Sequence, residues 1–466
     1  MEISFFGAAR TVTGSKHLIK TNHNKHILLD CGMFQGLGEQ GRLFNRHFGF
    51  DPREIDFIIL SHAHIDHSGL IPRMVSDGFK GKIFCTPETF DLCEIMLMDS
   101  AHIQESDISY INKRRRKRGL EPYKALYTVQ DVYDSFNYFE PIPYNQEYSI
   151  DENIKFIFTD AGHILGSAIT SLTIKEDEKE TRIAFTGDLG RLHPNIIREP
   201  QPFPQCDFLI TESTYGDKIH PAEEATSEKL LRIVIETCVM KRGKLIIPAF
   251  SVGRTQEIVY ALDRLENQGK LPRVKVFVDS PLSTNATDIM KNHPDCYNNK
   301  VLAYMKNDPD PFGFSRLEYI RNVSDSKKLN KLKEPCIIIS ASGMAEAGRI
   351  KHHLANNINN PDNTILIVGH CEPESLGGRL AAGNKEVRIF GETYAVRALV
   401  EEISSLSAHG DSKEMMDILS CQDISKIKKT FLVHGEYGTQ LRFKEKLENA
   451  GYKNIEIPEK GANFYL

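Results

Sequence analysis

Short apolar runs punctuate the chain, and each gives way to a turn rich in Gly, Asp, His or Ser. Ile27-Leu29, Phe57-Leu60, Ile154-Phe158, Ile183-Phe185 and Phe208-Ile210 predict strands in the first half, with Thr430-Val433 near the end. A middle series, Leu245-Ile247, Val274-Val278, Ile337-Ile339 and Thr364-Val368, predicts four more. Longer stretches with helical spacing lie between them: Glu88 to about Asn112, Ser227-Met240, Thr255-Leu265, Ala345-Ala355 and Gly438-Leu447. Such alternation predicts an α/β architecture. Before about residue 210 and after about residue 395 the strands run into His- and Asp-rich turns, whereas the turns between carry Gly, Ser and Arg. The pattern predicts a domain of residues 210–394 inserted into an outer domain made of 1–209 and 395–466. No Ser/Gly linker marks either join.

The densest chemistry follows Phe57-Ile58-Ile59-Leu60, in Ser61-His62-Ala63-His64-Ile65-Asp66-His67. Imidazole and carboxylate in that proportion suit zinc or a similar divalent first-row ion. His62 and His64 alternate onto one side of an extended turn, leaving Asp66 and His67 for a second ion. Other apolar strands end the same way: Asp30 follows Leu29, His163 follows Phe158 by a short turn, Asp188 follows Phe185, and His434 follows Val433. One strand-end His or Asp is usually a turn residue. Several together, at the strand edge where α/β sheets place their sites, are a metal constellation.

Composition narrows the class. The chain has 466 residues, enough for two or three domains. No apolar run approaches the roughly 20 residues needed to span a bilayer, and no signal peptide precedes Ile3. Nine scattered cysteines without a C-x-x-C pair predict reduced thiols in the cytoplasm. The net charge of -5 means that any polyanion must be held by local basic patches. One stands out, Lys113-Arg114-Arg115-Arg116-Lys117-Arg118, expected as a mobile loop that is either a solvated face or a nonspecific polyanion tether.

With these motifs in order, the sequence resembles the metallo-β-lactamase superfamily, and within it the β-CASP nucleases of RNA processing. Those include the endonuclease subunit of the cleavage and polyadenylation specificity factor and bacterial RNase J. The likeness covers nearly the whole chain. Gly7-Ala8 and Thr11-Val12-Thr13-Gly14-Ser15 look like the family's opening hairpin, and Thr211-Glu212-Ser213-Thr214-Tyr215-Gly216, Ser407-Ala408-His409 and Val433-His434-Gly435-Glu436 like its β-CASP motifs A, B and C. The resemblance implies an αββα sandwich carrying an inserted β-CASP domain of mainly parallel α/β type. It implies two zinc ions per chain: His62, His64 and His163 on one, Asp66, His67 and His434 on the other, and Asp188 bridging. Asp30 would orient a ligand imidazole, Asp66 would serve catalysis as well as metal, and His409, held by Glu212, would protonate the leaving oxygen. Single-stranded RNA is the implied substrate, cut internally or from the 5′ end and threaded between the two domains. His434 at motif C favours RNA, since the DNA-processing branch typically lacks histidine there. The sequence is expected to carry neither an N-terminal KH-like module nor the C-terminal domain of typical RNase J, and the resemblance allows a homo-oligomer.

The middle block adds its own argument for a phosphate chain. Pro248-Ala249-Phe250-Ser251-Val252-Gly253-Arg254, Ser340-Ala341-Ser342-Gly343 and Ser375-Leu376-Gly377-Gly378-Arg379 are small-residue turns between a strand and an expected helix N-terminus. Arg254, Ser340, Ser342, Gly343, Gly378 and Arg379 are therefore candidate substrate contacts. His370 departs from the aromatic residue usual at its place in the family. His17, His102, His352 and His353 read as structural or surface residues. Two other readings compete: a hydrolase of a small ester, thioester or lactam, which would need neither the insertion nor the Glu212/His409 pair, and a non-catalytic RNA-binding scaffold, which would be expected to have lost metal ligands.

Overall fold

The computed structural model describes residues 1–220, 224–369, 371–403 and 407–466; His370 lies outside them. The chain forms two compact units, one of Met1–Pro194, Arg198–Ile219 and His409–Leu466, the other of Asn195–Ile197 and His220–Ala408.

Two seven-stranded sheets build the first unit. One runs, edge to edge, Asn463–Tyr465, Glu2–Gly7, Lys16–Lys20, His26–Leu29, Phe57–Ile59, Lys82–Cys85, Phe139–Pro141. The other runs Ile455–Glu456, Lys429–Leu432, Phe208–Thr211, Lys179–Phe185, Ala168–Glu176, Ile154–Asp160, Tyr148–Ser149. The period-2 alternation of strands explains how they pack. Ile3, Phe5, Ile27, Leu29, Phe57 and Ile59 point from one sheet into a core shared with Phe156, Phe158, Leu172, Ile183, Phe185, Ile210 and Phe431 of the other. The intervening residues Ile169, Ala184, Leu209 and Leu432 point outward, to meet Met415, Ile418 and Leu419 of the helix Ser412–Leu419 and Phe443 and Leu447 of the helix Tyr437–Asn449. On the first sheet, outward-facing Leu18, Leu28, Ile58 and Ile83 are likewise buried, so that sheet too is covered on both faces. This is the αββα sandwich.

The second unit holds a six-stranded, all-parallel sheet in the order Leu317–Tyr319, Lys275–Val278, Cys336–Ser340, Leu245–Pro248, Thr364–Val368, Leu399–Ile403. The three small-residue turns singled out in the sequence thus follow three adjacent strands. The join expected at 395 precedes Leu399–Ile403, which pairs in parallel with Thr364–Val368 within this unit. The helix expected from Ala345 starts only at Ile350, because Ala345 and Gly348 both take positive φ (59° and 82°) and turn the chain first. Buried Asp279, just beyond Val278, accepts hydrogen bonds from Arg349 Nη1 (2.7 Å) and Ser326 Oγ (2.5 Å) and lies 2.5 Å from His353 Nε2. His353 is structural, as expected, and it is fully buried.

The basic run is not a loop. Lys113 to Lys117 form the last turns of a 31-residue helix, Pro87–Lys117. Cations at a helix C-terminus are favoured by its dipole, which offsets their mutual repulsion. Among the described residues, no helix is long and apolar enough to cross a membrane.

Candidate metal centre

Four parallel strands of the second sheet end at one edge of the first unit and deliver His163, Asp188, Glu212 and His434. The parallel strands His26–Leu29 and Phe57–Ile59 of the other sheet deliver Asp30 and the 62–67 cluster. Close packing at this edge is demanded by Gly187: its φ is 53°, and a Cβ there would lie 2.6 Å from Ser61 Cβ.

The ligand-type atoms converge in two groups. His62 Nε2 lies 3.1 Å from His64 Nδ1 and 3.6 Å from Asp188 Oδ2, while His163 Nε2 lies 3.3 Å from His64 Nδ1 and 3.5 Å from Asp188 Oδ2. His434 Nε2 lies 3.2 Å from His67 Nε2 and 3.3 Å from Asp66 Oδ2, and His67 Nε2 is 3.3 Å from Asp188 Oδ1. Asp188 therefore turns one carboxylate oxygen to each group. Donor atoms at tetrahedral corners around an ion with bonds of about 2.1 Å stand about 3.4 Å apart. The observed spacings match those edges, and the imidazole–carboxylate donor set suits a divalent ion. The residues fit the metal.

The buried groups divide the protons between them. Burial pushes the pKa values of His62 and His163 well below the ordinary histidine range, and that of His64 to about 4. These imidazoles are neutral, as ligands must be. Burial acts on His67 in the same direction, but the Asp188 and Asp30 carboxylates outweigh it and raise the pKa of His67 well above the ordinary value. A divalent ion held by His67 would have to displace that proton.

The residues around the ligands hold them in place. Asp30, fully buried, accepts from the Ser61 N–H (2.8 Å), Ser15 Oγ (3.0 Å) and Ser61 Oγ (3.1 Å), and stands 2.6 Å from His67 Nδ1. His434 Nδ1 meets Thr214 Oγ1 at 3.0 Å, and its backbone N–H donates to Ala8 O at 2.7 Å. Ala8, Asp30 and His434 all sit at positive φ (46°, 59° and 50°), a strained backbone clustered at the site. Lys16, which sequence patterns do not single out, is fully buried and donates to Gly14 O (3.0 Å) and Gly32 O (2.7 Å). It ties the opening hairpin to the turn after Asp30, and Ser15 N–H in turn holds Asp66 O (2.8 Å). A buried Lys between the polar neighbours Ser15 and His17 leaves no periodic signal.

Beside the ligands, His409 Nδ1 faces both oxygens of buried Glu212, at 3.1 and 3.2 Å. Its Nε2 lies 3.9 Å from Asp188 Oδ2. Burial lowers the His409 pKa, but Glu212 first and then Asp188 reverse this and raise it to about 9.

The candidate substrate contacts lie in the second unit, most of them committed to structure. Buried Ser340 donates its hydroxyl to Asp279 O (2.8 Å), Ser342 Oγ contacts the Ala347 backbone, and Arg254 is buried against Glu257. A Cβ on Gly343 would meet the Phe250 ring at 2.7 Å, and one on Gly378 would meet Glu372 O at 2.0 Å, so both glycines are required for packing. Gly378 also lines a cavity of about 240 Å³ with Ile367, Gly369, Cys371 and Glu402. Arg379 is half-exposed, 3.9 Å from Glu346.

Asp30→Asn replaces the carboxylate that orients His67 with an amide and keeps its size. Metal affinity should fall by about 10–100-fold with the fold retained, as read by chelator competition and circular dichroism. Unchanged affinity would contradict the role given to Asp30.

Comparison with known proteins identifies the family. Residues 14–216 match the metallo-beta-lactamase superfamily, 255–380 the Beta-Casp domain, and 393–458 the Zn-dependent metallo-hydrolase RNA specificity domain. The chain is 33% identical over 436 residues to Ribonuclease TTHA0252 of Thermus thermophilus, spanning 94% of this chain and 93% of that protein. It is 32% identical over 459 residues to an RNase J-like protein of Methanocaldococcus jannaschii, spanning 98% and 96%. Transcription termination factor FttA of Methanosarcina mazei is 28% identical over 474 residues, which cover 98% of this chain and 71% of that factor. The chain belongs to the β-CASP branch of the metallo-β-lactamase superfamily, a family of metal-dependent hydrolases.

Proposed function

We propose that the protein is a two-zinc ribonuclease that hydrolyses phosphodiester bonds of single-stranded RNA. The observation that carries this reading is the His409–Glu212 pair beside two candidate ligand groups, to each of which Asp188 turns one carboxylate oxygen. The names of the relatives and the match to an RNA specificity domain support RNA as substrate. His62, His64 and His163 would hold one ion, Asp66, His67 and His434 the other, and Asp188 both. Two ions so held would polarise the phosphate and lower the pKa of water towards neutrality. The chain's own part is to fix the ligands and supply a proton. Glu212 engages Nδ1 of His409 and keeps the ring protonated near neutral pH, leaving the Nε2–H directed to the site. As water bonds to phosphorus and the P–O bond to the 3′ oxygen breaks, that proton passes to the leaving oxygen; one water proton stays on the 5′ phosphate and the other leaves to solvent, from which His409 is reprotonated. The free thiols of all nine cysteines suit a reducing compartment such as the cytoplasm.

The test uses 5′- and 3′-labelled single-stranded RNA with matched DNA. Cleavage of RNA in preference to DNA, slowed about 10²–10⁴-fold in His409→Ala, is the expected result, and the label that shortens first separates internal cuts from 5′ trimming. A metal-loaded wild type inert to RNA would refute the reading. The pH profile tests the acid. Since loss of the Glu212 charge disfavours the imidazolium, Glu212→Gln should move the alkaline limb of kcat/KM to lower pH by about 1–3 units. A limb left in place would exclude His409 as the titrating acid.

A further inference from the structure

The basic end of the long helix Pro87–Lys117 is not used by the chemistry above. Its N-terminus is tied to the metal centre: Thr86 Oγ1 and Thr89 Oγ1 donate to Gly166 O at 2.7 and 2.8 Å, in the turn that carries His163. At 1.5 Å per residue its 31 residues reach about 46 Å, so Lys113–Arg118 stand far out from the ligands on the same unit. Five of the six basic side chains are exposed, and among the described residues none of the six pairs with a carboxylate. The fold makes no ion-pair use of them, yet the segment is built rather than loose. Asn112 exchanges two hydrogen bonds with the Tyr123 backbone (2.8 and 2.9 Å), and Arg115 Nε donates to Glu121 O (2.6 Å). Arg115 lies 3.8 Å over the Tyr123 ring and Arg114 4.8 Å over that of Tyr110. Both tyrosines remain about half exposed, at 47% and 59%. Lys124 adds a further cation at this end.

We propose that this helix end is a distal site for the backbone of single-stranded RNA whose other part occupies the metal centre. The inference rests on the ribonuclease reading. A fixed array of cations without carboxylate partners, interleaved with exposed aromatic rings, is the combination that binds single strands without reading sequence. An acidic protein surface would use the charge but has less use for the rings. The distance makes the proposal quantitative. A stacked strand at about 3.4 Å per nucleotide would need about 14 nucleotides to run the length of the helix, so a short oligonucleotide such as a hexamer cannot occupy both places.

The test compares wild type with Lys113→Gln/Arg114→Gln/Arg116→Gln/Lys117→Gln/Arg118→Gln, which leaves Asn112 and Arg115 to hold the fold, on a hexamer and on an RNA of about 40 nucleotides. For the hexamer, kcat/KM should stay within about two-fold. For the long RNA it should fall on the order of ten-fold at low salt, and the slope of log affinity against log salt should flatten by about 0.7 for each phosphate no longer engaged. A variant that cleaves the long RNA with the wild-type rate and salt slope overturns the proposal and leaves the patch to an acidic partner or to solvent. A wild type that cleaves neither RNA overturns the ribonuclease reading, and this inference with it.

Discussion

A single buried carboxylate, that of Asp188, faces five imidazoles. Oδ2 lies 3.5–3.9 Å from His62, His163 and His409, and Oδ1 lies 3.3–3.4 Å from His67 and His434. Burial alone would push its pKa up, but the surrounding histidines, His434 first, hold it well below the ordinary range. A charge this deep persists only if its partners are delivered accurately. They come from both sheets of the sandwich, so the two halves of the core must close in one register. A one-residue slip in any contributing strand would turn its ligand away, because successive side chains point to opposite faces. The packing of Phe158, Phe185, Phe431 and Ile59 thus serves the site as much as the fold.

The same demand explains the strained and polar features around the ligands. Asp30 and His434 occupy left-handed backbone conformations that the sandwich must hold against their local preference. Asp30, Ser61 and Thr214 bond the far nitrogens or the backbone of the ligand residues, and Lys16 braces the turn beneath them. Precision of this kind lets one face of the site keep three imidazoles neutral while His409, a few ångströms away, stays protonated. For His409 the difference comes from Glu212, both of whose oxygens face its Nδ1.

The candidate metal-binding residues stand out in the sequence because each follows an apolar strand, and a His or Asp at that point breaks a visible pattern. The core strands are legible for the same reason. Ala168–Glu176 escapes such a reading, since its alternation of Thr, Ser and Lys with Ile and Leu makes no apolar run. Lys16 is hidden among strand residues, and the Asp279 network joins residues 47 to 74 positions apart, which no local pattern signals. The basic run reads as a loop because like charges suggest repulsion; the helix dipole and the Asn112–Tyr123 clasp outweigh it. Ser340 looks like a phosphate contact from its Gly/Ser surroundings, yet its hydroxyl is spent on a neighbouring strand end.

The proposed function turns on whether Asp188 is shared by two metal ions. Crystals of the protein grown with zinc, measured on both sides of the zinc absorption edge, address it directly. Two anomalous peaks about 3.5–4 Å apart, with an Asp188 oxygen on each, are predicted. A single peak, or a second one that Asp188 does not touch, would rule out a shared Asp188.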